Sequence, residues 1–307
     1  MKRLIIFLLL FVFINSFAQE DSVAIKTPQK EKAPPTKVFY SQKVINTKSV
    51  EVLPKGILEF NVGHNFGDIG GDNGGIERFY GLDNTTDVRI GFQLGVTNSL
   101  NIVAARTKGL FVAQQWELGL KWRLLYQADE PGHPLSLTIY ANDVVSTQQK
   151  TTNPETTFED FEDRHSQIVQ VMLARKFGKI SLQLNPLYLH TNLVVPYDQE
   201  NIFALGGAIR IPLSKKIVIL ADYFHPFRSE STKQAFEANN IKLYDPFGIG
   251  FEIVTEGHIF HLNFTNATEI LENRLIRKTV TNWGGGEFRW AFTLSRNFVL
   301  FRDKKKS

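Results

Sequence analysis

Nine residues have the types and the spacing to line a polar passage: Glu59, Arg89, Glu117, Lys121, Arg123, Glu252, His261, Glu287 and Arg289. Each lies where apolar and polar residues alternate with a period of two, and each carries the polar parity, which makes all nine candidate lumen-lining positions. Charges of both signs there can pair into ladders that fill an interior, or line a pore that admits small solutes. Catalysis has less to rest on. The histidines His64, His133, His165, His190, His225, His258 and His261 stand in no partner motif, and His64 and His258 read as interface or turn residues. No G-x-S-x-G, H-E-x-x-H or phosphate loop occurs, so the sequence assigns no catalytic residue and the chain reads as a non-enzyme. Hydrolysis of lipid by a serine and histidine on an outer wall is the weakest of the function classes.

Binding chemistry is equally sparse. The loop Gly67 to Gly75 sets Asp68, Asp72 and Asn73 among glycines, oxygen donors that would suit a hard cation, but the spacing fits no standard calcium loop. A second loop gathers Glu155, Glu159, Asp160, Glu162 and Asp163, which a solvated surface explains. Cysteine is absent, which excludes disulfides, thiolate metal sites, a thiol nucleophile and a lipid-modified cysteine. No metal and no cofactor is expected. The formal net charge of +4 includes Lys2 and Arg3, and no basic cluster interleaves with aromatics, so nucleic acid is not an expected partner.

The elements that must position the nine residues are strands. Val88, Ile90, Phe92, Leu94 and Val96 alternate with Arg89, Gly91, Gln93 and Gly95. Trp116, Leu118, Leu120, Trp122 and Leu124 alternate with Glu117, Gly119, Lys121 and Arg123, so charges sit inside the repeat without breaking it. Twelve such segments are expected, near 57–66, 87–96, 99–107, 114–126, 135–145, 165–177, 180–190, 201–212, 216–226, 245–255, 258–266 and 287–300. Their connections alternate in length. Thr97-Asn98, Gly178-Lys179, Leu213-Ser214-Lys215 and Glu256-Gly257 are compact turns, whereas Gly67–Thr86, Ser146–Arg164, Phe227–Tyr244 and Ala267–Gly286 are long.

That sorting predicts an all-β fold, a transmembrane antiparallel β-barrel with short periplasmic turns and long extracellular loops. A spanning sheet must close on itself because lipid offers no partner to a backbone N–H or C=O. Its apolar face then meets lipid and its polar face the lumen, the inverse of a soluble sandwich, which remains the competing reading. A mean hydropathy of −0.15 fits strands that are apolar on one side only. Export is expected from Lys2-Arg3, an apolar run from Leu4 to Ile14 and the small-x-small site Ser16-Phe17-Ala18. The expected organisation is a cleaved signal peptide over 1–18, a periplasmic linker or plug segment over 19–55, the barrel over 56–301 and a basic tail over 302–307. Within the second unit the proline- and lysine-rich stretch to Pro35 reads as extended, and the more apolar Phe39 to Pro54 as packing at the barrel mouth or plugging it.

Several segments carry a resemblance. They include Pro54-Lys55-Gly56-Ile57-Leu58-Glu59-Phe60, Gly63-His64-Asn65-Phe66-Gly67, Tyr80-Gly81-Leu82-Asp83, Ala174-Arg175-Lys176-Phe177 and Gly257-His258-Ile259-Phe260-His261-Leu262 with Thr265-Asn266. Together with Trp283-Gly284 and Ser295-Arg296-Asn297-Phe298 they make the chain, from about Phe39 to Phe298, similar to a β-barrel family from Bacteroidetes of the DUF5777 type, a domain of unknown function. The chain departs from the family's wording at Asn65, at Glu256 and at Asp222-Tyr223. The resemblance implies an outer-membrane barrel and no activity. Three function classes follow: a channel or transporter for small solutes, a structural barrel that docks a periplasmic or surface protein partner, and, last, a lipid hydrolase. Outer-membrane lipid is the expected surrounding partner.

Overall fold

The computed structural model describes residues 34–109, 114–129, 132–150 and 158–301. The expected signal peptide, the linker up to residue 33, Glu155 and the basic tail over 302–307 lie outside the described residues. Twelve strands follow one another: β1 (Ile57–Asp68), β2 (Thr85–Gly95), β3 (Leu100–Gly109), β4 (Gln114–Leu125), β5 (Ser136–Ser146), β6 (His165–Phe177), β7 (Ile180–Thr191), β8 (Asn201–Pro212), β9 (Ile217–Phe227), β10 (Phe247–Val254), β11 (His258–Thr265) and β12 (Arg289–Val299). Each pairs antiparallel with its chain neighbours, and β1 pairs with β12 from Ile57 opposite Val299 to Asn65 opposite Ala291, which closes the barrel. Among the described residues no helix is long and apolar enough to cross a membrane.

Side-chain burial decides between the two readings of the alternation. On β4, Leu118 and Leu120 are 62% and 53% exposed while Glu117 and Lys121 are 1% and 0% exposed. A water-soluble sandwich would reverse this, because carboxylates and ammonium groups are costly to bury and leucine is not. The order observed is that of a wall facing lipid, with Trp116 and Trp122 near the two ends of the same outward stripe.

Connections sort by end. The links 96–99, 178–179, 213–216 and 255–257 lie at one end of the barrel, and 69–84, the described parts 147–150 and 158–164, 228–246 and 266–288 at the other. The long loops contain helix α1 (Glu230–Ala238), whose first turn is capped by the Ser229 hydroxyl accepting from Thr232 N–H, and the single turn α2 (Glu272–Leu275).

The lumen is filled. Residues from Val38 to Leu53 run inside the barrel from the short-turn end, and residues from Ala267 to Thr279 fold inward from the long-loop end. Their apolar side chains have a matching wall. Val38, Phe39, Val44, Ile45 and Val50 pack with Tyr140, Met172, Ala208, Val218 and Leu220. Ala267, Leu275 and Ile276 pack with Ile168, Leu189, Ile202 and Phe224. Strands β6 to β9 therefore carry apolar residues inward among polar ones such as Gln170, Gln183 and Asp222, a departure from the uniformly polar lumen that alternation alone suggests.

Candidate functional site

The interior polar groups fall into two sets, each built around one insert. The N-terminal insert folds back on itself through one bridge, Val44 N–H donating to Thr47 O at 2.8 Å and Ser49 N–H to Gln42 O at 3.0 Å, and much of the rest of its backbone is satisfied by side chains of the wall. Asp222 of β9 does most of this: its Oδ2 accepts from Ile45 N–H, Asn46 N–H and Thr47 N–H at 3.0, 2.6 and 2.9 Å, and its Oδ1 from the Asn46 side-chain amide at 3.0 Å. Three successive N–H groups converging on one carboxylate make a small anion-binding concavity. Further along, Gln183 of β7 accepts from Val50 N–H at 2.7 Å and donates to Lys48 O at 2.8 Å. Asn101 of β3 clamps Leu53, accepting from its N–H at 2.7 Å and donating to its carbonyl at 3.0 Å. Thr138 and Ser181 donate to Val50 O and Val38 O. Glycine at position 248 lets the insert come this close, since a Cβ there would stand 2.7 Å from the Ile45 side chain and 2.9 Å from that of Asn46.

The second insert is held chiefly near its two ends. Asp87 of β2 accepts from Ile270 N–H at 2.7 Å, and Arg289 of β12 donates to the Thr268 hydroxyl at 2.5 Å while pairing with Asp68. At the loop rim Arg277 pairs with Asp198 at 2.8 Å and Arg228 donates to the carbonyls of Ile276 and Arg277.

The two inserts meet at one lysine. Lys48 Nζ lies 2.8 Å from Glu272 of α2 and 3.0 Å from Glu117 of β4, and 4.3 Å from the centre of the Tyr140 ring. Glu117 also takes Arg89 at 2.7 Å and the Tyr140 hydroxyl at 2.6 Å. Beside it, Lys43 Nζ donates to Ile270 O at 3.4 Å, and burial pushes its ammonium down to about 8. The junction thus joins wall, N-terminal insert and loop insert through charge, where each pair is strong because water is displaced and costly to break for the same reason. Buried polar atoms without a protein partner remain around it, among them Glu272 Oε1, Asp87 Oδ1, Gln170 Oε1 and Asn263 Oδ1.

Seven of the nine expected lumen residues point inward and are buried: Glu59, Arg89, Glu117, Lys121, Glu252, His261 and Arg289. Arg89, Glu117 and Lys121 stand around the N-terminal insert, Lys121 donating to Gln42 at 3.0 Å. Glu252 forms a separate group nearer the short-turn end with Arg210 at 3.1 Å and His261 at 3.4 Å. Arg123 is at the short-turn rim, donating to Asn98 O at 2.7 Å. Glu287 is a correction: β12 begins at Arg289, and Glu287 lies in the preceding loop, accepting from Asn282 N–H at 2.7 Å. Missed were Asp222, Asn101, Gln183 and Lys48. Asp222 has the inward parity of β9 between Leu220 and Phe224, a charge isolated among apolar neighbours that signals a dedicated partner.

Outside the lumen, His165 pairs with Asp143 at 2.7 Å and His225 with Asp245 at 2.8 Å on the outer wall toward the long-loop end. Among the described residues no serine bonds to either imidazole and no three metal-binding side chains of the His, Cys, Asp or Glu type gather.

Residues 39–298 match the family described as membrane bound beta barrel domain (DUF5777). In fold the chain is similar to the KdgM porin, at 7% identity and a TM-score of 0.47, with 79% of this chain and 99% of the porin covered. It is similar also to an outer membrane channel from Pseudomonas putida F1, at 12% identity and a TM-score of 0.49, covering 81% of this chain and 98% of that one. No curated protein matches the sequence.

Proposed function

The chain belongs to this family of membrane-bound β-barrel domains, and from that premise we propose that it is an outer-membrane channel or transporter for small solutes, closed by its own N-terminal segment. The short-turn end then faces the periplasm, where a leader such as the one expected at residues 1–18 delivers the chain. The observation that carries the reading is how the wall's polar groups are satisfied. Asp222, Gln183, Asn101, Thr138 and Ser181 bond the main chain of a segment that belongs to no strand. A lumen that serves only as filling can satisfy itself wall to wall. Here the segment can withdraw without breaking one rung of the barrel, and the groups it leaves would line an aqueous path of mixed charge.

The test is conductance in planar bilayers. The full chain is expected to show rare openings of small amplitude, and a chain lacking residues 34–53 to conduct steadily, with heat-modifiable migration confirming an intact barrel. Steady silence of a folded deletion variant would overturn the reading. A barrel that only docks protein partners, the reading favoured by the filled lumen, predicts that silence together with capture of a partner by the full chain.

A further inference from the structure

The lipid-facing wall is not uniformly bulky. Between β7 and β9 it sinks into an apolar groove of about 650 Å³, with Gly207 and Ala221 at its floor and Leu184, Ile209 and Tyr223 at its sides. The pairing explains the shape: Gly207 stands between Leu184 and Tyr223, and Ala221 opposite Ile209, so the small residues adjoin across the sheet while their neighbours project. Sterics do not require the glycine. A Cβ at Gly207 would meet only Gln183 O, at an ordinary 3.6 Å, whereas one at Gly206 would collide with Phe224 at 2.4 Å and one at Gly248 with Ile45 at 2.7 Å. Gly206 and Gly248 are glycine because something inside presses on them. Gly207 faces outward, where a larger apolar side chain would cost nothing in packing and would gain contact with lipid.

One cation marks an end of the groove. Arg175 points outward on β6, two residues before the strand ends at Phe177 and a turn that lies at the short-turn end, and it lines the groove. Its guanidinium lies 4.9 Å from the Phe177 ring centre, and among the described residues it makes no ion pair. An arginine at that height reaches the headgroup level, where anionic phosphate is the available partner. The groove is within the size range of small-ligand sites, about 300–1,000 Å³.

We propose that this groove is a binding site for one phospholipid of the leaflet at the short-turn end, its phosphate on Arg175 and one acyl chain laid over Gly207 and Ala221. The occupant follows from charge and position: an apolar trough open to the bilayer with a lone cation at the headgroup end complements an anionic amphiphile. The site rests on the membrane-barrel fold and is independent of whether the lumen conducts.

The full chain is reconstituted in vesicles of phosphatidylethanolamine and phosphatidylglycerol containing a phospholipid with a photoreactive acyl chain, and the cross-linked peptides are mapped. Cross-links are expected to concentrate in residues 182–184, 207–209 and 221–223. They should fall at least fivefold in Gly207→Leu and in Ala221→Leu, each of which fills the trough, and about threefold in Arg175→Gln. Conductance, read on the same samples, should not change. Cross-links spread evenly over the outer wall, or unchanged by the filling substitutions, would overturn the proposal. So would a dimer in detergent that Gly207→Leu dissociates, since the groove would then be seating a second barrel.

Discussion

The two segments that fill this barrel are held in different ways. The N-terminal insert joins the barrel only at its C-terminal end, and apart from its own short bridge and the Lys48 ion pairs it is bonded to the wall through its backbone and single side chains of β3, β5, β7 and β9. The loop insert is joined at both ends, to β11 and β12, carries a helical turn of its own and is braced at the rim by arginines. A segment held at one end by separable contacts can leave as a unit, whereas one spliced between adjacent strands can only shift. On the proposed channel reading, that difference makes residues 38–53 the moving part and residues 267–279 the seat.

Asp222→Ala should break the comparison most severely. It removes the acceptor of three insert N–H groups, and at about 1.5–3 kcal/mol for a hydrogen bond to a charged group the loss is about 3 kcal/mol or more, a shift of roughly a hundredfold in docking. Limited proteolysis from the short-turn end should then cut within residues 38–53. Asp87→Ala, which frees Ile270 N–H in the other insert, should leave those residues protected. Equal protection in both variants would erase the distinction between the inserts.

Gly248→Val attacks the same insert from the wall. The added methyls collide with Ile45 and Asn46, and overpacking of this kind costs about 1–3 kcal/mol. Channel openings should rise without loss of heat-modifiable folding. Gly207→Val, facing lipid two strands away on β8, is the control and should leave openings unchanged.

The smallest expected effect is on pH. Burial lowers Lys43 from its ordinary 10.5 to about 8, with Glu272, Arg89, Lys48 and Asp222 as its charged surroundings. A lowered lysine penalises the inserted state while it is protonated, fully below about 8, and the penalty fades as pH rises toward 10.5. Openings should therefore decline between pH 8 and 10, by up to about tenfold per unit. Lys43→Met should flatten that dependence, and a slope that survives the substitution would assign it to another group.

The barrel was legible in the sequence because closure in lipid leaves a strict period of two, and because loop length sorts by end. Register followed from parity: Glu117 and Lys121 could only face inward once Leu118 and Leu120 faced lipid, and Arg89 once Ile90 and Phe92 did. What alternation could not show was the content of the lumen. Leu187, Leu189, Ile202 and Phe224 read as extra apolar residues in strands that are already apolar outward, and their reason lies in Ala267, Leu275 and Ile276, far along the chain. The N-terminal insert has no periodicity of its own because it forms a single bridge and no strand ladder, so only its apolar content marked it. Asp222, a lone charge among apolar neighbours on β9, proved to be the insert's principal anchor. Glu287 was misplaced because its parity continues that of β12 into a loop where no strand partner exists.

The hinge of the N-terminal insert sits on the seam. Gly56, in a left-handed conformation that favours glycine, donates to Gly95 O at 2.8 Å and accepts from Leu300 N–H at 2.9 Å, so it is stitched to the strand on one side of β1 and to the chain leaving β12 on the other. Any assembly factor that holds the first and last strands apart while the cylinder is being completed also holds the root of the stopper. On the channel reading proposed above, a newly inserted barrel shuts only when its wall does, which would spare the cell a leak during biogenesis.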